Sequence, residues 1–550
     1  MNGAEIVAKA LLKEGIKCAF ALPSGEILPV CEYLRDEGVD VIFTRHEQAS
    51  GNAADGYARV TREAGFCIVP TGPGLANLMP ALAQAYYASS PVVAVAGHSR
   101  YENLDRNAFE EIDGFLWVKE YTKWSRLVPF THRLHEYVQD AFRKAMSGRY
   151  GPVLLEIPKD VLNADVDVQI EFKDPENYRF TGRFVCEDEL VAEAMNMLNE
   201  AEKPIIIAGS GVYWSKSEDL LLKFAEKHSI PVLANGLGFG CIPSDHRLFA
   251  GHASASIVLG ESDFVMVIGS KLDEFLGFGQ KFSKDAKIVH VDIDPDALGK
   301  NRYVDLAVLS DARAFLSKAL QSNVNRKFDS WAAGVEMMAR NIAEMFDHAA
   351  KGDERPMKPQ TLMKELSEIM RKDDIVILDG GETTAWGLLY LKARKAGSVI
   401  SSQGPFGHLG AGVPMGIAAK AAEPDRRVFV VTGDGSFLFN GAEIDTAVRH
   451  ELPIIVVVVN DSAWGLVNHT RLLTTKSEER ARYGAILNEN VRYDKFAESL
   501  GAYGELITDI AEFREAVRRA VDAGIPAVID VRVKLEEISP LANILSGSEG

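Results

Sequence analysis

Cysteine is scarce in this chain and unpatterned: five residues, Cys18, Cys31, Cys67, Cys186 and Cys241, an odd number with no CxxC spacing. That excludes a disulfide framework and points to reduced, mostly buried thiols and a cytoplasmic setting. Long apolar runs are missing, none reaching the ~20 residues of a membrane helix. The opening MNGAEIVAKALLKEGI carries charges inside its helical periodicity, so neither anchor nor signal peptide is expected. Blocks of one charge are also missing. The net charge of -18 arises from 78 acidic against 60 basic residues spread along the chain, which makes nucleic acid and anionic membrane poor partners. Low-complexity segments and short repeats are absent. The stretch Gly209-Ser210-Gly211-Val212-Tyr213-Trp214 lacks the third glycine of a dinucleotide fingerprint, and no acidic residue sits convincingly at the next strand end. A nicotinamide-dependent dehydrogenase is disfavoured on that ground.

What is present is a threefold alternation of helical and strand patterns. At roughly 100 to 200 residues per domain, the length implies about three domains. Residues 1–165 place strands at 39–43, 66–69, 92–96 and 153–157; residues 163–187 are charged and aperiodic, a linker out of the first unit. A second unit, 188–345, has strands at 205–208, 232–234, 264–268 and 288–291. After the polar break at 351–358, a third, 356–535, has strands at 375–378, 399–401, 428–431, 454–459 and 528–533. Residues 536–550 end in Ser and Gly and read as a mobile tail. The expected fold class is α/β, with three doubly wound parallel-sheet domains.

The sharpest chemical signal lies in the third unit. The buried-strand run RVFVVT breaks at Gly433-Asp434-Gly435-Ser436, where glycines let backbone N–H groups approach phosphate oxygens and Asp434 offers a hard oxygen to Mg²⁺. Helical spacing over 441–450 and a second strand over 453–459 bring Asn460-Asp461 out at the same sheet edge. Two such oxygens, with diphosphate oxygens and water, fill an octahedral shell.

This arrangement resembles the thiamine-diphosphate motif of the acetolactate synthase-like superfamily, a Gly-Asp-Gly followed by an Asn-Asn pair, with Asp461 in the place of the second Asn. The resemblance implies Asp434, Asp461 and the Ala463 carbonyl as Mg²⁺ ligands. It places Gly433, Gly435, Ser436, Trp464, Gly465 and Leu466 along the cofactor. In the first unit, RHEQASGNAADGYAR resembles the superfamily signature RHEQ-x-A-x-x-M-A-D-G-Y-A-R almost residue for residue, which makes Glu47 the expected catalytic residue. In that family the glutamate hydrogen-bonds N1′ of the aminopyrimidine and stabilises the imino tautomer that takes the proton from C2 of the thiazolium. Asp379-Gly380-Gly381-Glu382-Thr383-Thr384 would supply donors to the diphosphate, and Leu409, next to His408, would wedge between the cofactor rings. Pro23, Gly72 and Asn77 would face the cofactor from a partner subunit, with Ser24 and Gly25 towards substrate. The three units match the family's pyrimidine-binding, central and diphosphate-binding domains. Because that family builds each site from the first domain of one subunit and the third of another, a homodimer or a dimer-of-dimers tetramer is implied.

For substrate, Phe109 and Glu110 resemble the acetolactate synthase segment DAFQE, with Glu110 replacing Gln, and Trp464, Asn468 and His469 would line the acyl or acceptor pocket. The family's FAD-associated turns correspond to Gly251-His252-Ala253-Ser254-Ala255 and to the stretch from Gly269 to Gly279, where both FAD features are lost. FAD is therefore expected to be absent, with ADP or CoA left open. The resulting expectation is a thiamine-diphosphate- and Mg²⁺-dependent lyase or carboligase of the acetolactate synthase-like type, acting on a small-molecule 2-keto acid such as pyruvate. The alternatives are a benzaldehyde lyase- or 2-hydroxyacyl-CoA lyase-like enzyme that does not decarboxylate, and a non-catalytic cofactor-binding protein.

Overall fold

A computed structural model of the chain describes residues 1–402 and 404–547. Three parallel sheets follow one another along it. The first contains β1 (Cys18–Ala21), β2 (Asp40–Phe43), β3 (Gly65–Val69), β4 (Val92–His98), β5 (Trp124–Leu127) and β6 (Val153–Pro158), in the order β2-β1-β3-β4-β6-β5. The second contains β7 (Pro204–Ala208), β8 (Val232–Ala234), β9 (Phe264–Ile268), β10 (Lys287–Asp292) and β11 (Leu306–Leu309), ordered β11-β10-β9-β7-β8. The third contains β12 (Ile375–Asp379), β13 (Val399–Ser401), β14 (Val428–Gly433), β15 (Ile455–Asn460), β16 (Tyr503–Ile507) and β17 (Ala527–Arg532), ordered β13-β12-β14-β15-β17-β16. The α/β class with three doubly wound parallel sheets is thus the observed one. Central strands such as β14 and β15 are continuous apolar runs because helices cover both faces.

The strands that pattern alone did not single out are β1, β5, β11 and β16. β1 is a four-residue run, CAFA, and β5, β11 and β16 lie at sheet edges with charged or half-exposed positions (WSRL, LAVL, YGELI). Two expectations are corrected. The helix expected over 441–450 starts earlier: Asp434–Asn440 is helical, and a 3₁₀ turn at Gly441–Glu443 separates it from Ile444–Arg449. The break follows from Asn440, whose side chain donates to the Gly410 carbonyl and to Gln48 Oε1 rather than facing solvent. The tail is not a loose end over its described part. Pro540–Leu545 is a helix packed on the helices Gly381–Tyr390 and Gly465–Thr475, and Ser539 is its N-cap. Residues 548–550 lie outside the described residues.

The first and third domains of one chain are tied together by the helix Glu47–Thr61 packing on Gly412–Ala422. A Cβ at Gly56 would sit 2.7 Å from the Met415 Cα, so the close approach requires glycine there. Arg59, 1% exposed, bonds fully buried Asp55 through Nε (2.8 Å) and Nη2 (2.5 Å) and donates Nη1 to the Ser401 carbonyl on β13 (2.8 Å). Breaking such a buried pair by removing one partner costs about 3–5 kcal/mol. Among the described residues no helix is long and apolar enough to cross a membrane.

Candidate active site

The third sheet has its topological switch point between β12 and β14, and both strands end in glycine-rich turns there. Gly380 has φ +100°, a conformation that favours glycine, and starts the helix Gly381–Tyr390. β14 runs directly into Asp434 at the head of its helix, and β15, paired in register Gly433↔Val459, ends at Asn460-Asp461. These strand ends enclose a cavity of about 360 Å³ lined by Gly381, Glu382, Thr383, Leu409, Gly433, Asp434, Gly435, Ser436, Asp461, Ala463, Trp464, Gly465 and Leu466. The structure therefore brings together thirteen of the expected positions, from segments spread over residues 381–466.

The two aspartates are the electrostatic centre of the cavity. Asp434 is 3% exposed; its Oδ1 accepts from the Gly435 N–H (2.9 Å), while Oδ2 is buried with no partner. Asp461 Oδ1 accepts from the Ala463 N–H (3.0 Å). Burial pushes both carboxyls up, and the charge of Asp434 raises Asp461 further. Two facing carboxyls that are expensive to ionise, one with an orphaned oxygen, suit a hard divalent cation. Among the described residues no cluster of three or more His, Cys, Asp or Glu side chains could hold a metal ion, so the pair would need carbonyl and ligand oxygens to complete a shell. Gly465 permits the crowding: a Cβ there would lie 2.6 Å from Asp461 Oδ2 and 3.1 Å from Glu382 Oε2. At Gly435 a Cβ would meet the Trp464 ring at 2.7 Å.

Around this centre the supporting bonds are dense. Fully buried Asp379 accepts from the N–H groups of Gly410 and Gly412 (3.2 Å each) and from the Ser402 and Thr432 hydroxyls (3.3 Å each), which fixes the turn carrying Leu409. Glu382 Oε2 pairs with His469 Nδ1 (2.7 Å), and its Oε1 accepts from the Ser539 N–H (3.0 Å) and hydroxyl (2.7 Å). His469 Nε2 lies 2.5 Å from the Leu535 carbonyl. Burial lowers the His469 pKa, but the carboxylate and carbonyl around it more than offset that, and the net direction is up. Through this network the segment 535–545 is held across the pocket, where Leu541, Ile544 and Leu545 form part of the wall. Ser539 and these apolar residues carry no motif; the capping Ser-Pro step before an apolar run was their available signal.

Other expected positions lie elsewhere. Thr384, with its hydroxyl buried and unpartnered, faces the neighbouring cavity rather than this one. His408 Nε2 stands 3.2 Å from Asn52 Nδ2 and 3.4 Å from Gln48 Nε2, between the first and third domains. Asn468 and His469 are buried but do not line the pocket. None of the first-domain residues lines it. Glu47, 7% exposed, accepts from Asn77 Nδ2 (3.0 Å) through Oε2, and Glu26 Oε1 accepts from the Thr71 N–H (3.2 Å) and hydroxyl (3.1 Å). A Cβ at Gly72 would lie 2.5 Å from the Glu110 carbonyl oxygen. Pro23, Gly25 and Asn77 are exposed, the Ser24 hydroxyl is buried and unpartnered, and Phe109 is 87% exposed. Within one chain the glycine-rich carboxylate pocket and the Glu47 face are thus separate.

A second cavity, of about 700 Å³, lies at the strand ends of the central sheet, bordered by Ser210, Gly211, Asn235, Gly269, Asp292 and Asp311. The Gly211 and Gly269 backbones touch there, since a Cβ on Gly211 would be 2.6 Å from the Gly269 Cα. Asp273, Phe275, Gly404, Pro405, Leu541 and Ile544 line both cavities and form a shared wall.

Fold and pocket together define a protein with a glycine-lined cavity, suited to a phosphorylated ligand, at the edge of a doubly wound sheet. Family models agree along the chain: residues 1–116 match the N-terminal TPP binding domain of thiamine pyrophosphate enzymes, 191–319 the central domain and 379–531 the C-terminal TPP binding domain. Among curated relatives, a probable acetolactate synthase large subunit of Methanocaldococcus jannaschii is 32% identical over 98% of this chain and 93% of that relative. The acetolactate synthase large subunit of Mycobacterium tuberculosis is 32% identical over 96% and 95%, and isozyme 2 of Escherichia coli 31% over 98% and 97%. The chain belongs to the thiamine pyrophosphate enzyme family, as an acetolactate synthase-like member, and is a thiamine-diphosphate-dependent enzyme.

Proposed function

We propose that the enzyme is a Mg²⁺-dependent lyase or carboligase whose donor is a 2-keto acid such as pyruvate. The observation that carries the reading is the buried Asp434–Asp461 pair with its orphaned oxygen, set in a glycine-lined pocket of a chain similar end to end to acetolactate synthases. Asp434, Asp461 and the Ala463 carbonyl hold the metal. Gly381, Thr383, Gly433, Gly435 and Ser436 bind the diphosphate, and Trp464, Gly465 and Leu466 continue that wall. Leu409 sets the ring geometry and His408 supports its turn. When bound, thiamine diphosphate supplies a carbanion-stabilising centre for cleaving and making bonds next to a carbonyl. Glu47 holds and moves the proton on the aminopyrimidine side, assisted by Pro23, Gly72 and Asn77, while Ser24, Gly25, Phe109 and Glu110 face substrate.

Because the pocket lining contains no first-domain residue, Glu47 reaches the cofactor from a second copy, and the working unit is a homodimer or a dimer of dimers. Five buried free cysteines fit a cytoplasmic enzyme. No flavin is bound: both FAD-associated turns differ from the family pattern, although the central cavity is roomy enough for ADP or CoA. The rival reading, cleavage of 2-hydroxy ketones or 2-hydroxyacyl-CoA esters without CO₂ loss, draws on the wall shared by the two cavities. A proton NMR time course of the Mg²⁺- and thiamine-diphosphate-loaded enzyme with pyruvate separates the two. Pyruvate consumption with CO₂ release supports the first reading; inert pyruvate with turnover of a hydroxy ketone supports the second. A stoichiometric flavin spectrum in purified protein would overturn the statement on FAD.

A further inference from the structure

β2 is the outer strand of the first sheet, so the backbone groups along its free edge need partners from elsewhere. The third domain of the same chain supplies them. The Phe43 N–H donates to His450 Nε2 (3.0 Å), the Phe43 carbonyl accepts from Arg449 Nη2 (2.7 Å), and the Arg45 guanidinium pairs with Asp445 (3.1 Å). The ion pairs among these are exposed and contribute little. Glu443 differs. It is 1% exposed, and its two carboxyl oxygens share the Arg45 N–H at 3.1 and 3.2 Å, just past the end of the strand. Thr446 orients the carboxyl by donating its hydroxyl to Oε2 (2.6 Å). Burial raises the Glu443 pKa, and the bonds from Thr446, Arg45 and His46, with the charge of Arg449, offset only part of that. A buried carboxyl is costly unless its oxygens are bonded, and here the bonds go to the turn ahead of Glu47.

That turn is held from two sides. Inwards, the Thr44 N–H donates to the Ala21 carbonyl (2.9 Å) and the Thr44 hydroxyl lies 2.6 Å from Ser50 Oγ. Outwards, Arg45 and His46 are exposed, and Glu443 holds their backbone. Glu47 opens the helix Glu47–Thr61 immediately after, and its carboxyl accepts from Asn77, which is itself exposed. With so light a hold on the side chain, the backbone of 44–46 sets its aim. Glu443 closes the 3₁₀ turn that follows the helix Asp434–Asn440, so one short stretch of the third domain begins at a pocket carboxyl and ends at the Glu47 turn. We propose that Glu443 is a positioning residue for Glu47, holding the Arg45–His46 backbone so that the Glu47 carboxyl keeps the direction its proton transfer needs. The inference rests on the reading of Glu47 given above. Glu443 thus lies nine residues after Asp434 and yet acts with the first domain.

Glu443→Met removes both acceptor oxygens at nearly the same side-chain length. It should lower kcat roughly 10- to 100-fold, as a misplacement of about 1 Å does, with cofactor retention after dialysis unchanged. Glu443→Gln keeps one acceptor oxygen and should recover at least about threefold of that loss; a Gln variant no better than the Met variant would remove hydrogen bonding as the cause. Complementation assigns the role. On reassociation, Glu443→Met chains should restore about a quarter of wild-type activity with Asp434→Ala chains and none with Glu47→Gln chains. The reverse pattern would place Glu443 with the metal pocket and overturn the inference, as would recovery with both or with neither. If Glu47→Gln and Asp434→Ala chains fail to complement each other, the dimer reading falls instead, and near-native turnover of Glu47→Gln removes Glu47. In either event, amide hydrogen exchange of the cofactor-free protein decides. The peptide spanning Arg45–Gln48 should exchange at least about tenfold faster in Glu443→Met, with the Gly433–Ser436 peptide unchanged; an unaltered rate at Arg45–Gln48 overturns the inference. Should the Met variant not fold, Thr446→Val, which removes the hydroxyl that orients the carboxyl, takes its place in each measurement.

Discussion

Counted from each domain's own first strand, the first and third sheets share a single order, 2-1-3-4-6-5. Yet the same edge carries opposite chemistry in the two. After β12, β14 and β15 the third domain places glycine turns and two buried carboxyls around a cavity. After β1, β2 and β3 the first domain places Pro23, Glu47 and Gly72 on a face that lines no cavity with that pocket. The comparison teaches that topology fixes where a ligand can sit, while the turn residues decide whether the edge offers a glycine-lined pocket with paired carboxyls or a single carboxyl on a separate face.

The largest expected effect comes from damaging the first-domain edge chemically without touching the other. Glu47→Gln should lower kcat by about 10²–10⁴-fold, because an amide cannot relay a proton, with cofactor still retained after dialysis; near-native turnover would remove Glu47 from the mechanism. Damage to the third-domain edge should have the opposite signature. Asp434→Ala should weaken Mg²⁺-dependent cofactor retention by roughly 10- to 100-fold or more, measured by equilibrium dialysis, and unchanged retention would falsify the metal cradle. Mixing the two variants sharpens the comparison. If each site joins the first domain of one copy to the third of another, unfolding and reassociating Glu47→Gln with Asp434→Ala chains should return about a quarter of wild-type activity, since random pairing gives one intact site in half of the dimers. No recovery from correctly sized dimers would mean that both half-sites of one chain act together.

A smaller effect is expected from pH. The Asp434 and Asp461 carboxyls are raised above the ordinary aspartate value of 3.8 in the folded protein. Protons are then bound more tightly folded than unfolded, so the metal-free protein should lose stability as pH rises above the unfolded-state range. Mg²⁺ with thiamine diphosphate, which replaces those protons, should raise Tm more at neutral than at acid pH. A Tm increment independent of pH across calorimetric scans would contradict the carboxylate pair as the metal site. The smallest effect is Ser539→Ala. It removes both an N-cap and a donor to Glu382, and should cost about 1 kcal/mol, visible as faster hydrogen exchange in the peptide containing Pro540–Leu545. Unaltered exchange would show that apolar packing alone holds the segment.

Sequence by itself determined the class and most of the third-domain pocket, because that chemistry is local. Each aspartate lies within a few residues of the glycine that makes room for it, so Gly433-Asp434-Gly435 and the stretch from Asp461 to Gly465 remain legible as short strings at the ends of apolar strands. The helix Glu47–Thr61 was legible for the same reason, its acidic first turn and its Asp55–Arg59 pair, one turn apart, being short-range features. Tertiary structure alone decided the rest. That Ser539 and His469 meet at Glu382, that a C-terminal helix walls the pocket, and that two sheets repeat one order all depend on packing between segments far apart in sequence. Edge strands such as β5 and β16 escaped notice because most of their positions are only half-buried or exposed and need no apolar residue. Burial and long-range hydrogen bonding are properties of the folded chain, and local pattern carries them only where a turn forces the residue type.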